Sequence, residues 1–314
     1  FCLLPLAMLL AERFLSRRKF SYALGGSLVL GLQLLSGHPT FTIVTIVAST
    51  FYVVCRVLQR SWHRSEPLPV AVRQVAGAIS QWGLAAALGF GIAGIQVVPQ
   101  LFHVEQSVRQ GGLKFEYASS LPAQLRYLPQ LLLPYAYLQG DWLKEPTPWG
   151  SILNLVPSSG IYLGTLAVLL PILGLWWQRS WPDPGWPLTA GFLVALGLAL
   201  GAKTPLFPAL WSLPGMNGMR YPSRFLVWAS FCLACLTALG LHRVLARSRL
   251  GRLRKRDLAP FLLIAAGVLL VGFLFWTEEK LIATIVQIAP DFRSGIITSL
   301  ALFIGAFSLA GGLL

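Results

Sequence analysis

Three cations in one short segment rich in proline and glycine are the side chains best suited to binding chemistry. Residues 203–225 read KTPLFPALWSLPGMNGMRYPSRF and contain Lys203, Arg220 and Arg224 without an acidic residue. A guanidinium group binds phosphate oxygens through two parallel hydrogen bonds, whereas an ammonium group acts as a point charge. The segment therefore suits a phosphate or diphosphate ligand, and anchoring to ordinary lipid headgroups is the alternative use of the same cations.

A second polar group lies in a short turn between two apolar runs. Residues 36–40 read SGHPT, which places His38 in the turn. His38 is either an ordinary polar turn residue or a hydrogen-bond donor to an anion. Gln96 and Gln100 close a neighbouring apolar run. Polar groups that converge at the ends of apolar runs are typical of a ligand site or a pathway.

The sequence contains no motif for a nucleotide, a metal ion or a general base. No GxxxxGK[ST] loop occurs, the histidines are dispersed, and the acidic residues lie in no recognised catalytic pattern. Cys232 and Cys235 form a CxxC, but they lie within an apolar run and one helical turn apart, which favours packing over redox chemistry. No cofactor and no catalytic residue are therefore assigned, and a requirement for a divalent metal stays open.

Long apolar runs must position these groups. The chain is 55% hydrophobic and 11% charged, which is too apolar for a soluble domain of this size. About 17–25 apolar residues are needed to cross a membrane. We therefore predict an all-α, polytopic integral membrane protein with eight or nine spans in a single domain over 1–314. The runs lie at 20–36, 41–57, 75–100, 160–177, 188–202, 226–242, 260–276 and 295–314, after the end of another at 1–12.

Basic residues predict the orientation. Of the 25 Lys and Arg residues, 16 lie in the gaps at 13–19, 56–73, 178–187 and 243–257. The positive-inside rule puts these gaps in the cytoplasm, so 37–40, 101–159, 203–225 and 277–294 face outward. The net charge of +14 then reflects topology rather than a nucleic-acid partner. The basic cytoplasmic loop at 243–257 also suits attraction to anionic membrane lipid.

The outward segment at 101–159 is too long for a simple connection, and loops of this length are usually functional. Ser120 suits the N-cap of a helix, and Pro122 suits its first turn. The leucines in 123–133 give that helix an apolar face that could lie along the membrane surface. An interfacial or re-entrant helix without chemistry is the alternative.

The order of several short motifs resembles that of the YfhO family of bacterial membrane proteins. The SGHPT turn is similar to the family's GHPQ-like turn, with Thr40 in place of Gln. The last motif, MRYPSRF at 219–225, is similar to the family's FRxPxRF, with Met219 in place of the first Phe. Between them lie, in the family's order, AGIQVVP at 93–99, Glu105, Ser107 and Arg109, YASSLP at 117–122, Leu133-Pro134, IYLG at 161–164, KTPL at 203–206 and LPG at 213–215.

The resemblance implies a glycosyltransferase of the GT-C type in the bacterial cytoplasmic membrane. Such enzymes take a sugar from a polyprenyl-phosphate carrier and attach it, outside the membrane, to a cell-envelope polymer or lipid. Their catalytic acid typically lies in the first outer loop. Because the chain begins and ends within apolar runs, we expect a fragment that lacks this loop. The donor phosphate would be bound by Arg220, Arg224, Lys203, Arg109 and His38.

The alternative is a non-enzymatic membrane protein, either a lipid or polymer transporter or an assembly scaffold. Ion-coupled transporters usually carry ionisable residues within their spanning helices, and the apolar runs here contain almost none. No inverted repeat is evident either. Both features favour the enzyme.

Overall fold

The computed structural model describes residues 3–107, 112–120, 122–123, 165–176, 184–213, 215–216 and 218–249. Over these ranges every regular element is helical. The all-α prediction is therefore confirmed for the described part of the chain. The chain divides into two compact units, one of residues 1–122 and 180–231 and the other of residues 123–179 and 232–314.

The first unit contains most of the described helices. They are α1 (Leu4–Arg17), α2 (Phe20–Leu35), α3 (Pro39–His63), α4 (Leu68–Ile92), α5 (Gly94–Glu105), α6 (Phe115–Ala118), α8 (Gly185–Ala199) and α9 (Leu206–Trp211), with 3₁₀ turns at Gly201–Lys203 and Pro222–Phe225. Helix α7 (Thr165–Trp176) belongs to the second unit, and α10 (Leu226–Arg249) begins in the first and continues into the second.

Three described helices are long and apolar enough to cross a membrane. They are Pro39–His63, Leu68–Ile92 and Pro222–Ala246, each of 25 residues. Shorter apolar helices lie at Phe20–Leu35 and Gly185–Ala199. The three long helices indicate a membrane protein. The count of eight or nine spans stays a prediction, and the runs at 260–276 and 295–314 lie outside the described residues.

Trp82 is the centre of the packing among α1 to α4. Its side chain is fully buried, and its indole N–H donates a hydrogen bond of 3.0 Å to the hydroxyl of Ser49 on α3. Its ring lies 6.3 Å from the ring of Phe14 on α1, between centroids. On α2 it covers Gly26, where a Cβ would lie 2.9 Å from the indole. One side chain of α4 therefore contacts the three helices that precede it.

Glycines allow the backbones of α2 and α4 to approach closely. A Cβ at Gly89 would lie 2.9 Å from the backbone oxygen of Ser27, and one at Gly31 would lie 3.1 Å from the carbonyl oxygen of Gly89. Helices that pack in a membrane use small residues in this way, because association there depends on close van der Waals contact.

A buried ion pair joins α1 to α3. The guanidinium of Arg56 donates to both carboxylate oxygens of Glu12, at 3.1 and 2.9 Å, and Arg60 donates to the same carboxylate at 3.2 Å. Tyr52 adds a hydroxyl donor at 3.1 Å. The side chain of Arg56 is only 8% exposed. Paired this way, the arginine avoids the cost of a lone charge in an apolar interior.

The ends of these helices differ from the apolar runs in the sequence. Helix α1 continues through Arg13 to Arg17, and α3 continues through Arg56 and Arg60 to His63, so part of each basic gap is helical. The apolar run at 75–100 is two helices, with the boundary at Ala93 between α4 and α5. Apolarity marks where the chain can contact lipid, whereas helical hydrogen bonding continues until a cap or a turn ends it.

The second unit, as far as it is described, is a close pair of helices. Gly240 on α10 lies against the backbone of Leu170 on α7, where there is no room for a Cβ. Nearby, the hydroxyl of Thr237 donates to the carbonyl of Ala167 at 2.9 Å, and Arg243 donates to the carbonyl of Gly174. Earlier on α10, Cys232 and Cys235 form no disulfide. Their placement in a packed helix agrees with the packing interpretation of the CxxC.

The approach of α2 to α4 gives a matched pair of variants on one helix. We expect Gly89→Ala to lower the free energy of unfolding by about 1–3 kcal/mol, because the new methyl group meets backbone that cannot move aside. Gly83→Ala is the control, since a Cβ at Gly83 meets nothing within 4 Å. It should leave stability unchanged or raise it slightly through helix propensity. Thermal unfolding in detergent compares the two, and equal melting temperatures would contradict the close approach.

Candidate functional site

Two arginines share one tyrosine ring at the start of the helical segment that leads into α10. The guanidinium carbon of Arg220 lies 4.0 Å from the ring centroid of Tyr221, and that of Arg224 lies 5.2 Å from the same centroid. Arg220 also lies 4.8 Å from the ring of Tyr117, and Arg224 lies 5.4 Å from the ring of Phe41. We call this group the arginine cluster, and its members are His38, Phe41, Tyr117, Arg220, Tyr221 and Arg224.

Tyr221 has an unusual backbone conformation that positions both arginines. Its φ of +65° is left-handed, which costs a residue other than glycine about 1–2 kcal/mol. Two hydrogen bonds hold it: its N–H donates to the carbonyl of Ala118 at 3.1 Å, and its carbonyl accepts from the N–H of Arg224 at 3.1 Å. The second bond begins the 3₁₀ turn Pro222–Phe225, in which Pro222, Ser223 and Phe225 are buried. The arginines on either side of Tyr221 are therefore fixed by packed backbone.

The turn between α2 and α3 lies at the same cluster. Gly37 has a φ of +84°, a conformation that glycine adopts without strain, and α3 begins at Pro39. The ring of His38 meets the ring of Phe41 edge to face at a centroid distance of 6.2 Å. Phe41 in turn lies against Arg224. The predicted tight turn is confirmed, and its histidine is linked to Arg224 through Phe41.

A glutamine and a threonine beside this turn extend the polar region. The side-chain amide of Gln33 on α2 donates to the hydroxyl of Thr45 at 3.0 Å and to the carbonyl of Phe41 at 3.4 Å. Gln96 on α5 lies by the turn as well, because a Cβ at Gly37 would be 3.6 Å from its Nε2. The expected convergence of polar groups on this turn is therefore seen for Gln96.

Some buried polar atoms in this part of the chain have no hydrogen-bond partner. They include Nε of Arg220, Oε1 of Gln33 and Oγ1 of Thr42. Arg220 also makes no ion pair with any described residue. A buried donor without an acceptor costs about 1–3 kcal/mol, so its presence needs an explanation. A bound anion would supply the missing acceptor for Arg220.

Of the other two predicted phosphate-binding cations, the structure describes Lys203 but not Arg109. Lys203 ends the 3₁₀ turn Gly201–Lys203 and is exposed. Its turn is near the cluster, since a Cβ at Gly201 would lie 3.0 Å from Pro222, but no hydrogen bond or ion pair joins the Lys203 side chain to the described cluster residues. Arg109 lies outside the described residues. The predicted helix at 123–133 lies outside them too, apart from its first residue.

The aromatic partners of the arginines were not predicted from the sequence. Phe41 lies one residue beyond the SGHPT turn, Tyr117 opens the YASSLP motif, and Tyr221 is enclosed by MRYPSRF. A signal was available, because a tyrosine between two nearby arginines can stack with either of them. The contact with Tyr117, roughly a hundred residues away in the chain, could not be read from spacing.

This arrangement can bind an oxyanion. Stacking on an aromatic ring uses the face of a guanidinium and leaves its N–H groups, which lie in the plane, for oxygen acceptors. Both guanidinium groups lie within 5.2 Å of the centroid of one ring, so their like charges favour the binding of an anion near them. No cluster of three His, Cys, Asp or Glu residues that could hold a metal ion occurs among the described residues.

Two arginines with different partners should respond differently to the same substitution. We expect Arg220→Met to change the free energy of unfolding by no more than about 1 kcal/mol, because the lost cation–π contacts are offset by removal of an unpaired buried donor. Arg56→Met should destabilise by up to about 3 kcal/mol, because Glu12 loses one of its two cations. Thermal unfolding without added ligand measures both. A large loss in Arg220→Met would show that Arg220 serves stability in the ligand-free chain.

No family model matches this chain, and no curated protein or solved structure matches it either. The likeness to the YfhO family therefore rests on the order of the quoted motifs. The arginine cluster is defined by the distances given above and does not depend on that likeness.

Proposed function

We propose that this chain is part of a membrane glycosyltransferase of the GT-C type. The enzyme would take a sugar from a polyprenyl-phosphate carrier and transfer it to a cell-envelope polymer or lipid on the outer face of the bacterial cytoplasmic membrane. The observation that carries the proposal is the arginine cluster, in which two guanidinium groups share one aromatic ring and one of them has a buried donor without an acceptor.

The cluster suits the leaving group of such a transfer. As the bond between the sugar and the phosphate breaks, negative charge develops on the phosphate oxygens. Donors that are already in place stabilise this charge without reorganising during the reaction. Arg220 and Arg224 suit this role because they contact aromatic rings before any ligand binds. These rings are those of Tyr117, Tyr221 and Phe41.

The remaining roles are assigned by position and by the family resemblance. His38 would donate a hydrogen bond beside Arg224, and Lys203 or Arg109 would add charge at the rim. No catalytic base, cofactor or metal is assigned. The proposal includes the predicted topology, with eight or nine spans, multiple passes through the cytoplasmic membrane, and the segments 101–159 and 203–225 on the outer side.

A transporter or an assembly scaffold is the second candidate, and one observation bears on it. Arg56 is a buried ionisable residue within a helix long enough to span, of the kind that ion-coupled transporters need. However, its charge is neutralised by Glu12, which accepts hydrogen bonds from Tyr52, Arg56 and Arg60. A group paired so fully suits a structural link between α1 and α3 better than an ion path.

A deletion strain separates the two candidates. Loss of a sugar from an envelope polymer, with export of that polymer intact, supports the enzyme. Export lost while the sugar is still attached supports the transporter.

Removing one guanidinium should lower turnover sharply. We expect Arg224→Ala to reduce transfer from a polyprenyl-phosphate sugar by about 10²–10³-fold, the usual effect of losing one donor to developing charge. Expression and melting temperature should stay close to those of the parent. Activity is measured in membranes that contain the protein, with a lipid-linked sugar as donor.

Lys114→Gln is the matched control for this experiment. Lys114 is an exposed cation just before α6, near Tyr117 in the chain, and no hydrogen bond or ion pair joins its side chain to the described cluster residues. Its loss removes the same charge and should leave turnover unchanged. Near-normal turnover in Arg224→Ala, or an equal decrease in both variants, would rule out the proposed role.

A further inference from the structure

A basic cleft lies where α1, α3 and α4 meet, beside the Glu12 ion pair. Its volume is about 780 Å³, within the range of cavities that hold small molecules. The side chains that matter are those of Arg18, Arg60, His63, Arg64, Gln74 and Gln81. No acidic residue is among the described residues that line it. The cleft therefore offers cations and amide groups to a ligand.

The charges around the cleft leave a surplus of cations. Glu12 is shared between Arg56 and Arg60, so this group of three keeps one positive charge. Glu66 accepts a hydrogen bond from Gln74 at 2.7 Å and pairs with Arg64 only at 3.7 Å. Arg18 makes no ion pair with any described residue. Residues 12–19 and 56–73 together carry eight Lys and Arg against these two acids.

Hydrogen bonds hold the wall of the cleft in place. Arg60 donates to the carbonyl of Leu15 at 2.8 Å and to the hydroxyl of Ser16 at 3.1 Å, in addition to Glu12. Gln74 accepts from the hydroxyl of Ser61 at 3.3 Å. At the end of α1, Arg18 has a left-handed backbone with a φ of +51°, fixed by a hydrogen bond from its N–H to the carbonyl of Phe14. A site built from fixed groups loses less entropy on binding.

An apolar groove adjoins the cleft. Gln59 contributes to both, and the other groove residues include Leu58, Trp62, Trp186 and Pro187. The groove has a volume of about 230 Å³, and 80% of Trp62 is exposed. Exposed tryptophans are typical of the membrane–water interface. A molecule with a phosphate group and an acyl chain could therefore fill both spaces.

We infer that the basic cleft binds the phosphate group of an anionic ligand, supplied either by a membrane phospholipid or by a soluble phosphate compound. Guanidinium groups and amides are suitable donors for phosphate oxygens. The inference does not depend on the proposed function, because the cleft lies at the opposite end of α2 and α3 from the arginine cluster.

Binding to the purified full chain in detergent tests the inference. The probes are dihexanoyl phosphatidic acid, dihexanoyl phosphatidylcholine and inorganic pyrophosphate, each titrated and followed by thermal shift and by native mass spectrometry. Saturable binding of phosphatidic acid with much weaker binding of phosphatidylcholine identifies a lipid source. An affinity for pyrophosphate equal to that for phosphatidic acid identifies a soluble phosphate compound as the ligand.

Two double variants with the same change in charge locate the site. Arg18→Gln with Arg64→Gln removes two cations of the cleft, and we expect affinity to fall by about 10- to 100-fold. Arg13→Gln with Arg73→Gln removes two exposed cations that do not line the cleft, and affinity should stay within about twofold of the parent. Should the first pair fail to fold, Arg64→Gln alone replaces it, because Arg64 is largely exposed.

Three results would overturn the inference. Equal losses in both double variants would show general attraction to a basic surface. Equal affinity for phosphatidic acid and phosphatidylcholine would show that negative charge does not matter. Absence of saturable binding with every probe would leave the cleft without a phosphate ligand.

Discussion

The position of Trp82 determines how the first four helices pack. Its ring fits between α1, α2 and α3 only because Gly26 has no side chain, and its N–H needs the hydroxyl of Ser49 because a buried indole donor without an acceptor is costly. The glycine contact between Ser27 and Gly89 brings α4 close enough for the ring to reach α3. With these contacts made, α3 has a fixed rotation and height relative to its neighbours.

Both sites depend on α3 being fixed. Its first turn supplies Phe41 to the arginine cluster, its last turn supplies Arg60 to the basic cleft, and its C-cap residue Arg64 lines the same cleft. The arginines near the two ends of α3 differ in their charge partners. At the cleft end, Arg56 is neutralised by a carboxylate, which stabilises the fold. At the cluster end, Arg220 rests on aromatic rings and has no ion pair with a described residue, which leaves its charge available to a ligand.

The sequence was a good guide to helices and a poorer one to their ends. Apolar runs located α2, α3 and α4, because apolar residues in long stretches are stable only in helices when they face lipid. The runs did not show that α3 continues through Arg56, since burial of that arginine depends on Glu12 more than forty residues earlier. The break at Ala93 was also hidden, because no proline precedes it within the run.

The candidate site was predictable in its residue types and not in its geometry. Cations in 203–225 and the histidine turn could be selected from charge and from turn chemistry. Whether they meet depends on the left-handed conformation of Tyr221 and on its hydrogen bond to Ala118, and neither has a local signal in the sequence. Lys203 carries the same charge as its neighbours in the segment, but no hydrogen bond or ion pair joins its side chain to the described cluster residues.

The length of α2 bears on how the proposed topology would fit a bilayer. One face of this helix exposes a stripe of five large apolar side chains, which are Phe20, Leu24, Leu28, Leu32 and Leu35. Sixteen residues rise about 24 Å, whereas a typical hydrocarbon core is about 30 Å thick. If α2 crosses the membrane, as the proposed topology has it, acyl chains beside it would have to shorten or tilt, and the bilayer would thin locally on this side of the protein. The hydrocarbon core of a membrane of short-chain lipids would match the length of this stripe without deformation. A thicker membrane would have to deform beside it.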